Sequence, residues 1–200
     1  MAVEDRDALA DLADIHRVLA GDSRAFRPIV ERYADRVLAF CRSRRLDEDE
    51  AADVVQDVFL RAFRSLGSFR LGESFPSWLF AIAANRLRSR GSKRSSEERK
   101  IEAVAAEEGA REGPDALAEA ERAFEAEAVR KAVATLPAEQ RSVVELYYFA
   151  ELSVVEVTKV LGLGEEAVKS RLFRARKRLR SLLESEYHEQ PRGVDGGIAS

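Results

Sequence analysis

The stretch Leu161–Arg180, LGLGEEAVKSRLFRARKRLR, decides how the chain is read. Before it runs SVVEVTKVLG, in which Ser153 offers a helix N-cap and Gly162 a stop. Helix, short glycine-containing turn, helix is the helix-turn-helix pattern. In the second helix Val168, Leu172, Ala175, Leu179 and Leu182 recur every three or four positions, which gathers them on one inward stripe. Seven cations (Lys169, Arg171, Arg174, Arg176, Lys177, Arg178 and Arg180) face only two acids, Glu165 and Glu166. Lys169, Arg174, Arg176, Lys177 and Arg180 turn outward, joined by Ser170. Arg171 lies nearer the stripe and could reach a phosphate or a base edge. A helix fits the major groove of DNA, and such a face can neutralise phosphates and read bases. The plainer alternative for a charge run is a solvated surface.

This basic end belongs to a chain of net charge −3 and pI about 5.7. The balance is restored in Ile101–Ala128, where nine acids meet two arginines and ten of 28 residues are alanine. Large apolar side chains nearly vanish there, so the segment buries too little surface to offset its ordering entropy. It reads as an acidic linker, with a helix restarting after Pro114. The average charge therefore describes neither half of the chain.

On both sides of the linker, apolar residues recur at the helical period and strand-like alternation is hard to find. The expected fold class is all-α: two small helical domains, with the helix-turn-helix in the second. The expected boundaries are 1–95, a linker over 96–125, a second domain over 126–185 and a disordered tail over 186–200. In the first domain, Asp22 or Ser23 can cap a helix carrying Phe26, Ile29, Tyr33, Val37 and Phe40. Asp47 with Glu50 resembles a capping box, and it opens a helix that Gly67 stops. Ser74 or Ser77 starts another, WLFAIAANRLRSR. In the second domain Pro137 begins PAEQRSVVELYYF. No apolar run approaches the roughly 18 residues of a membrane-spanning helix. The acidic N-terminus does not look like a secretory signal, so a cytoplasmic protein without membrane insertion is expected. The lone Cys41 sits in an apolar run; it reads as a small core residue, with a redox-sensing thiol as the alternative.

A second motif is DVVQDVFLRAFRSL, Asp53–Leu66. Opposite its apolar face lie Asp53, Gln56, Asp57, Arg61 and Arg64 in a polar stripe. Composition alone makes it a solvated surface. A metal-dependent nuclease would need several converging oxygens around Asp53 and Asp57, and the chain's two histidines, His16 and His188, lie near its ends.

Taken together, GDSRAF, DVVQDVFLRAF and FPSWLFAIAANR in the first half, and LPAEQRSVVELYYF, LSVVEVTKVLG and VKSRLFRARKRL in the second, resemble the extracytoplasmic-function sigma factors, small specificity subunits of bacterial RNA polymerase. The resemblance spans about residues 18–93 and 126–183. It implies that Asp53, Gln56, Asp57 and Arg61 dock on a coiled coil of the largest subunit of core RNA polymerase, whose flap region is a further contact. It implies that the unpaired −10 element of promoter DNA is held by Phe75, Trp78, Asn85, Arg86, Arg88, Arg90 and Lys93, aromatics for bases and cations for phosphates. Core packing is the competing reading for Trp78 and Phe80. The −35 element would be read as duplex by Glu166, Ala167, Lys169, Ser170, Arg171, Arg174 and Lys177. Gly164, Glu166 and Ala167 depart from the residues common in the family around this helix, as does Ser89 after the −10 helix. A separate anti-sigma factor is the implied regulator, and neither a cofactor nor an enzymatic step is implied. The rivals are a stand-alone helix-turn-helix regulator, binding duplex DNA unaided, and the metal nuclease.

Overall fold

In the computed structural model, residues 2–97 and 116–189 are described, with side chains described over 7–90 and 125–184. Every regular element among them is helical. The first, α1 (Ala2–Leu19), lies upstream of any helix expected from the sequence. Its acids obscure a short apolar set, Leu12, Ile15 and Val18, of which Ile15 is fully buried. Asp11 is buried with it and accepts a 2.6 Å hydrogen bond from the Tyr33 hydroxyl. Asp11 and Asp14 both pair with Arg32.

Asp22 caps a 3-10 turn that leads into α2 (Phe26–Arg42). Pro28 falls in the first turn of α2, where its missing N–H is not needed. In α3 (Glu48–Ser65), Asp47 accepts a 2.7 Å bond from the Glu50 N–H, as an N-cap does. A 3-10 turn around Gly67 follows. Then comes α4 (Phe75–Glu97), whose first turn is capped by the Ser74 hydroxyl accepting from the Ser77 N–H. These helices close over Ile29, Val37, Phe40, Val54, Val58 and Phe80, with Phe40 edge-on to Phe80 at 5.6 Å. Cys41 is fully buried and its thiol is pushed up to about 12 by that burial. A thiolate is therefore not available near neutral pH.

The second half holds α5 (Ala116–Ala134), α6 (Ala138–Val144), α7 (Val154–Leu161) and α8 (Glu165–Glu189). Helix α6 does not run on to Phe149 as an α-helix. It widens into a π-helical turn over Glu145–Phe149, closed by the Ala150 N–H donating to the Glu145 carbonyl at 3.0 Å. The acidic segment over 98–115, the tail over 190–200 and the side chains of Lys93 and Arg94 lie outside the described residues. The two bundles share one apolar cluster: α4 packs on α7, and α2 packs on the π turn.

Candidate nucleic-acid interface

Helix α8 is aimed by the elements before it. Ser153 caps α7 in a full capping box: its hydroxyl accepts from the Glu156 N–H, and the Glu156 carboxylate accepts from the Ser153 N–H at 2.9 Å. Gly162 ends α7 at φ 65°, a left-handed conformation open to glycine. Val168 and Ala175 are then wholly buried and Leu172 nearly so, with Leu179 packed at the edge. This leaves Glu166, Lys169, Ser170, Arg174 and Lys177 exposed along the outer face, with Ala167 at its margin. Lys169 sits 3.1 Å from Glu165 and 3.3 Å from Glu166. Arg174 donates to the Ser170 hydroxyl at 2.9 Å.

Two cations are placed differently from the rest. Arg171 leans toward the body of the domain, its Nη2 3.0 Å from a Glu139 carboxylate oxygen on α6. Arg176 is exposed, yet it donates to the Tyr148 hydroxyl at 2.7 Å and stacks over the Tyr147 and Tyr148 rings. It pins α8 to the π turn. Phe173 escaped the sequence reading: it is 68% exposed in the middle of the cationic face. A large apolar side chain about 130° round the helix from the Val168–Leu172–Ala175 stripe was the available signal. Placed there, it can meet an apolar base edge such as a thymine methyl.

The other surface lies on α3 and α4. Asp53 and Gln56 are exposed on α3. The Asp57 carboxylate accepts from Arg61 one turn on, at 3.0 Å, and forms an ion pair with Arg86 on α4. Slight burial works against ionisation of Asp57, but the Arg61 hydrogen bond and the charges of Arg86 and Arg61 hold its carboxyl below the usual range. Arg90 reaches back from α4 to Glu50 at 2.8 Å. Residues expected in two separate roles are thus stitched together, around a surface depression of about 600 Å³ lined by Asp57, Arg61, Arg64, Ile82, Asn85 and Arg86. Leu60, 45% exposed between Asp57 and Arg64, was also missed. It puts an apolar contact in the centre of the polar stripe, as protein interfaces do.

The aromatics divide. Phe75 is only 3% exposed, and Phe80 is wholly buried. Phe75 packs at 5.6 Å on both Tyr33 and Phe69, so it is a core residue here and offers no face to a base. The apolar period of α4 takes it inward. Trp78 is half-buried against Phe69 and Phe75 and keeps part of its ring at the surface. Asn85 and Arg88 are exposed and bonded to each other at 2.8 Å, while Arg86 and Arg90 are half-buried by their carboxylates. No helix among the described residues is long and apolar enough to cross a membrane.

Residues 29–97 match the family profile of Sigma-70 region 2, and residues 126–179 that of Sigma-70 region 4. The chain is 30% identical to the ECF RNA polymerase sigma factor SigW of Bacillus subtilis (strain 168), over 84% of this chain and 94% of that one. Among solved structures it is similar to CnrH in complex with the cytosolic domain of CnrY, with a TM-score of 0.67 and 29% identity over 88% of this chain and 99% of that one. It is also similar to the sigma factor RpoE in complex with the anti-sigma factor NepR from Bartonella quintana, with a TM-score of 0.63 and 29% identity over 80% and 96%.

Proposed function

Because the chain belongs to the extracytoplasmic-function RNA polymerase sigma factors, we propose that promoter reading is divided between its halves as the side chains suggest. As an alternative sigma factor it directs RNA polymerase to promoters, and the stand-alone regulator is not favoured. The observation that carries the division is the cationic outer face of α8, held on a buried stripe in the second helix of a helix-turn-helix. Glu166, Ala167, Lys169, Ser170, Phe173, Arg174 and Lys177 would meet the −35 duplex, with residues near the start of the helix closest to the bases. Asp53, Gln56, Asp57, Leu60 and Arg61 would dock on core polymerase. Trp78, Asn85, Arg86, Arg88, Arg90 and Lys93 would hold the opened −10 strand. The first domain spans about 1–95 and the second about 126–185 in this reading. The protein acts in the cytoplasm, without a catalytic step of its own, and a separate anti-sigma factor restrains it, as NepR is complexed with RpoE.

Run-off transcription with purified core polymerase tests the proposal. Specific transcripts are expected only when core enzyme and this chain are combined, and DNA binding by the chain alone is expected to be weak and strongly salt-dependent. Tight, sequence-specific binding to a duplex without polymerase, with no gain in transcription, would return the stand-alone regulator.

A further inference from the structure

The outer face of α8 carries a line of side chains on the side away from the buried stripe. Glu166, Ser170, Phe173 and Lys177 follow one another at spacings of four, three and four, which at about 100° per residue keeps them within one narrow arc. Val168, Leu172 and Ala175 are buried on the other side, so this line is the edge that a groove receives. The Ser170 hydroxyl already accepts from Arg174. Glu166 stands at the N-terminal end of the line and is its one acid. Its side chain is 92% exposed, against 53% for Glu165 beside it. The two acids share Lys169, Glu165 at 3.1 Å and Glu166 at 3.3 Å. A favourable interaction with the helix N-terminus accounts for either acid. It does not account for one of them heading a face that is otherwise cationic and turned toward DNA.

In a helix-turn-helix the first residues of the second helix meet base edges. A carboxylate placed there can only accept hydrogen bonds. In the major groove guanine offers O6 and N7, and thymine offers O4 and a methyl group; none of these donates. Opposite either base, Glu166 would give up water and face another acceptor, a penalty that rejects the wrong pair. Adenine offers its N6 amino group beside the N7 acceptor, whereas cytosine offers its N4 amino group alone. Cytosine is therefore the base that takes a carboxylate without an opposing lone pair. Release from Lys169 costs Glu166 little, because an exposed ion pair is weak and Glu165 keeps its own contact with the ammonium.

Resting on the reading that α8 lies in the −35 duplex, we infer that Glu166 is a specificity determinant of that contact and accepts a hydrogen bond from the N4 amino group of one cytosine. The chain selects a C·G pair beneath the start of α8, with the cytosine on the strand that faces Glu166. The cations further along the helix hold the backbone and are blind to sequence. Glu166 adds no affinity for random duplex, since its charge repels phosphate. Its contribution is the difference between the right pair and the wrong ones.

Selection from a pool of random duplexes by the full-length chain assembled with core polymerase tests it. The wild type should enrich an upstream motif in which one C·G pair is held fixed, preferred over the other pairs by about fivefold or more. Glutamine can pair with adenine through N6 and N7, so Glu166→Gln should turn that one position to A·T and leave the rest of the motif alone. Glu166→Ala should leave the position open to all four pairs. Glu165→Gln takes a carboxylate from the same helix turn and from Lys169, and it should keep the wild-type motif. That variant separates base reading from a merely structural acid. One unchanged motif from the wild type, Glu166→Gln and Glu166→Ala would overturn the inference, as would a fixed cytosine lost equally in Glu165→Gln. If the wild-type assembly enriches a −10 motif and no upstream one, the −35 assignment of α8 fails first, and the role of Glu166 falls with it.

Discussion

Glu145 brings a carboxylate into the interior, where it is wholly buried beside Arg44. Burial pushes its carboxyl up to about 7, against the downward pull of Arg44 and Arg141. Burial likewise lowers Arg44, so the pair's attraction does not offset desolvation at either end. The folded protein therefore binds this proton more tightly than the unfolded chain, where the ordinary value is 4.5. The stability from this group is complete below about 4.5 and is lost as pH rises through about 7. A shift of that size corresponds to an upper bound of about 3 kcal/mol. Urea unfolding at pH 5.5 and 8 should show the wild type weakening at the higher pH. Glu145→Gln should be close to the wild type at pH 5.5, where the buried carboxyl is already neutral, and should not weaken toward pH 8. An equally steep variant would remove Glu145 as the source.

Also at this scale, Arg171 and Arg174 should separate. Arg174 is free to meet a phosphate, so Arg174→Ala should lower −35 duplex affinity and cut the salt slope by about one. Arg171 is shared with an exposed Glu139. Its ion pair is worth about 0–1 kcal/mol, so Arg171→Ala should cost mainly a little stability. Equal loss of affinity in both variants, measured across a salt series, would put Arg171 on the DNA as well.

Among the elements, α7 and α8 were legible because their signals are local. Ser153, Gly162 and the three-four spacing from Val168 to Ala175 are each sufficient without knowledge of the rest of the fold. The π turn was not legible. Its i→i+5 bond leaves no mark in ELYYF, and its value lies in what it meets: Arg36 and Arg44 on one side, Arg176 on the other. Helix α1 was missed for the same reason, since its burial depends on Arg32 and Tyr33 being in place to receive Asp11. In the α3 stripe the residue types were readable, but not their cross-links to α4. Those links give Asp53 and Asp57 different expected behaviour. Asp53→Ala should weaken capture of core polymerase and leave the melting temperature unchanged. Asp57→Ala should weaken capture and also lower stability, by about 1 kcal/mol, through loss of the Arg61 and Arg86 pairs. Core pull-down and thermal melts of the two variants check this; unchanged capture in both would reduce the stripe to a solvated surface.

At the scale of the whole molecule, the charge of −3 is a sum of opposing blocks. The 28 residues Ile101–Ala128 carry a net −7, and the 20 residues Leu161–Arg180 a net +5. Two such blocks on one chain are held at high effective concentration, so the acidic block is expected to compete with DNA for the cationic helix. A specific promoter complex, with polymerase contributing, can outbid that competition, whereas random duplex cannot. Replacing the nine acids of Ile101–Ala128 with glutamine should therefore raise non-specific duplex affinity at low salt and narrow the ratio of specific to non-specific transcripts. Both domains should stay folded, since glutamine has a helix propensity close to glutamate's where the segment enters α5 and the segment holds few large apolar residues. The gain should fade by about 1 M salt, where the screening length falls to about 3 Å. Filter binding to random duplex across that salt range, with circular dichroism as the folding control, decides it. An affinity identical to wild type at low salt would show that the acids do not guard the helix, and that the linker's charge acts elsewhere in initiation or not at all.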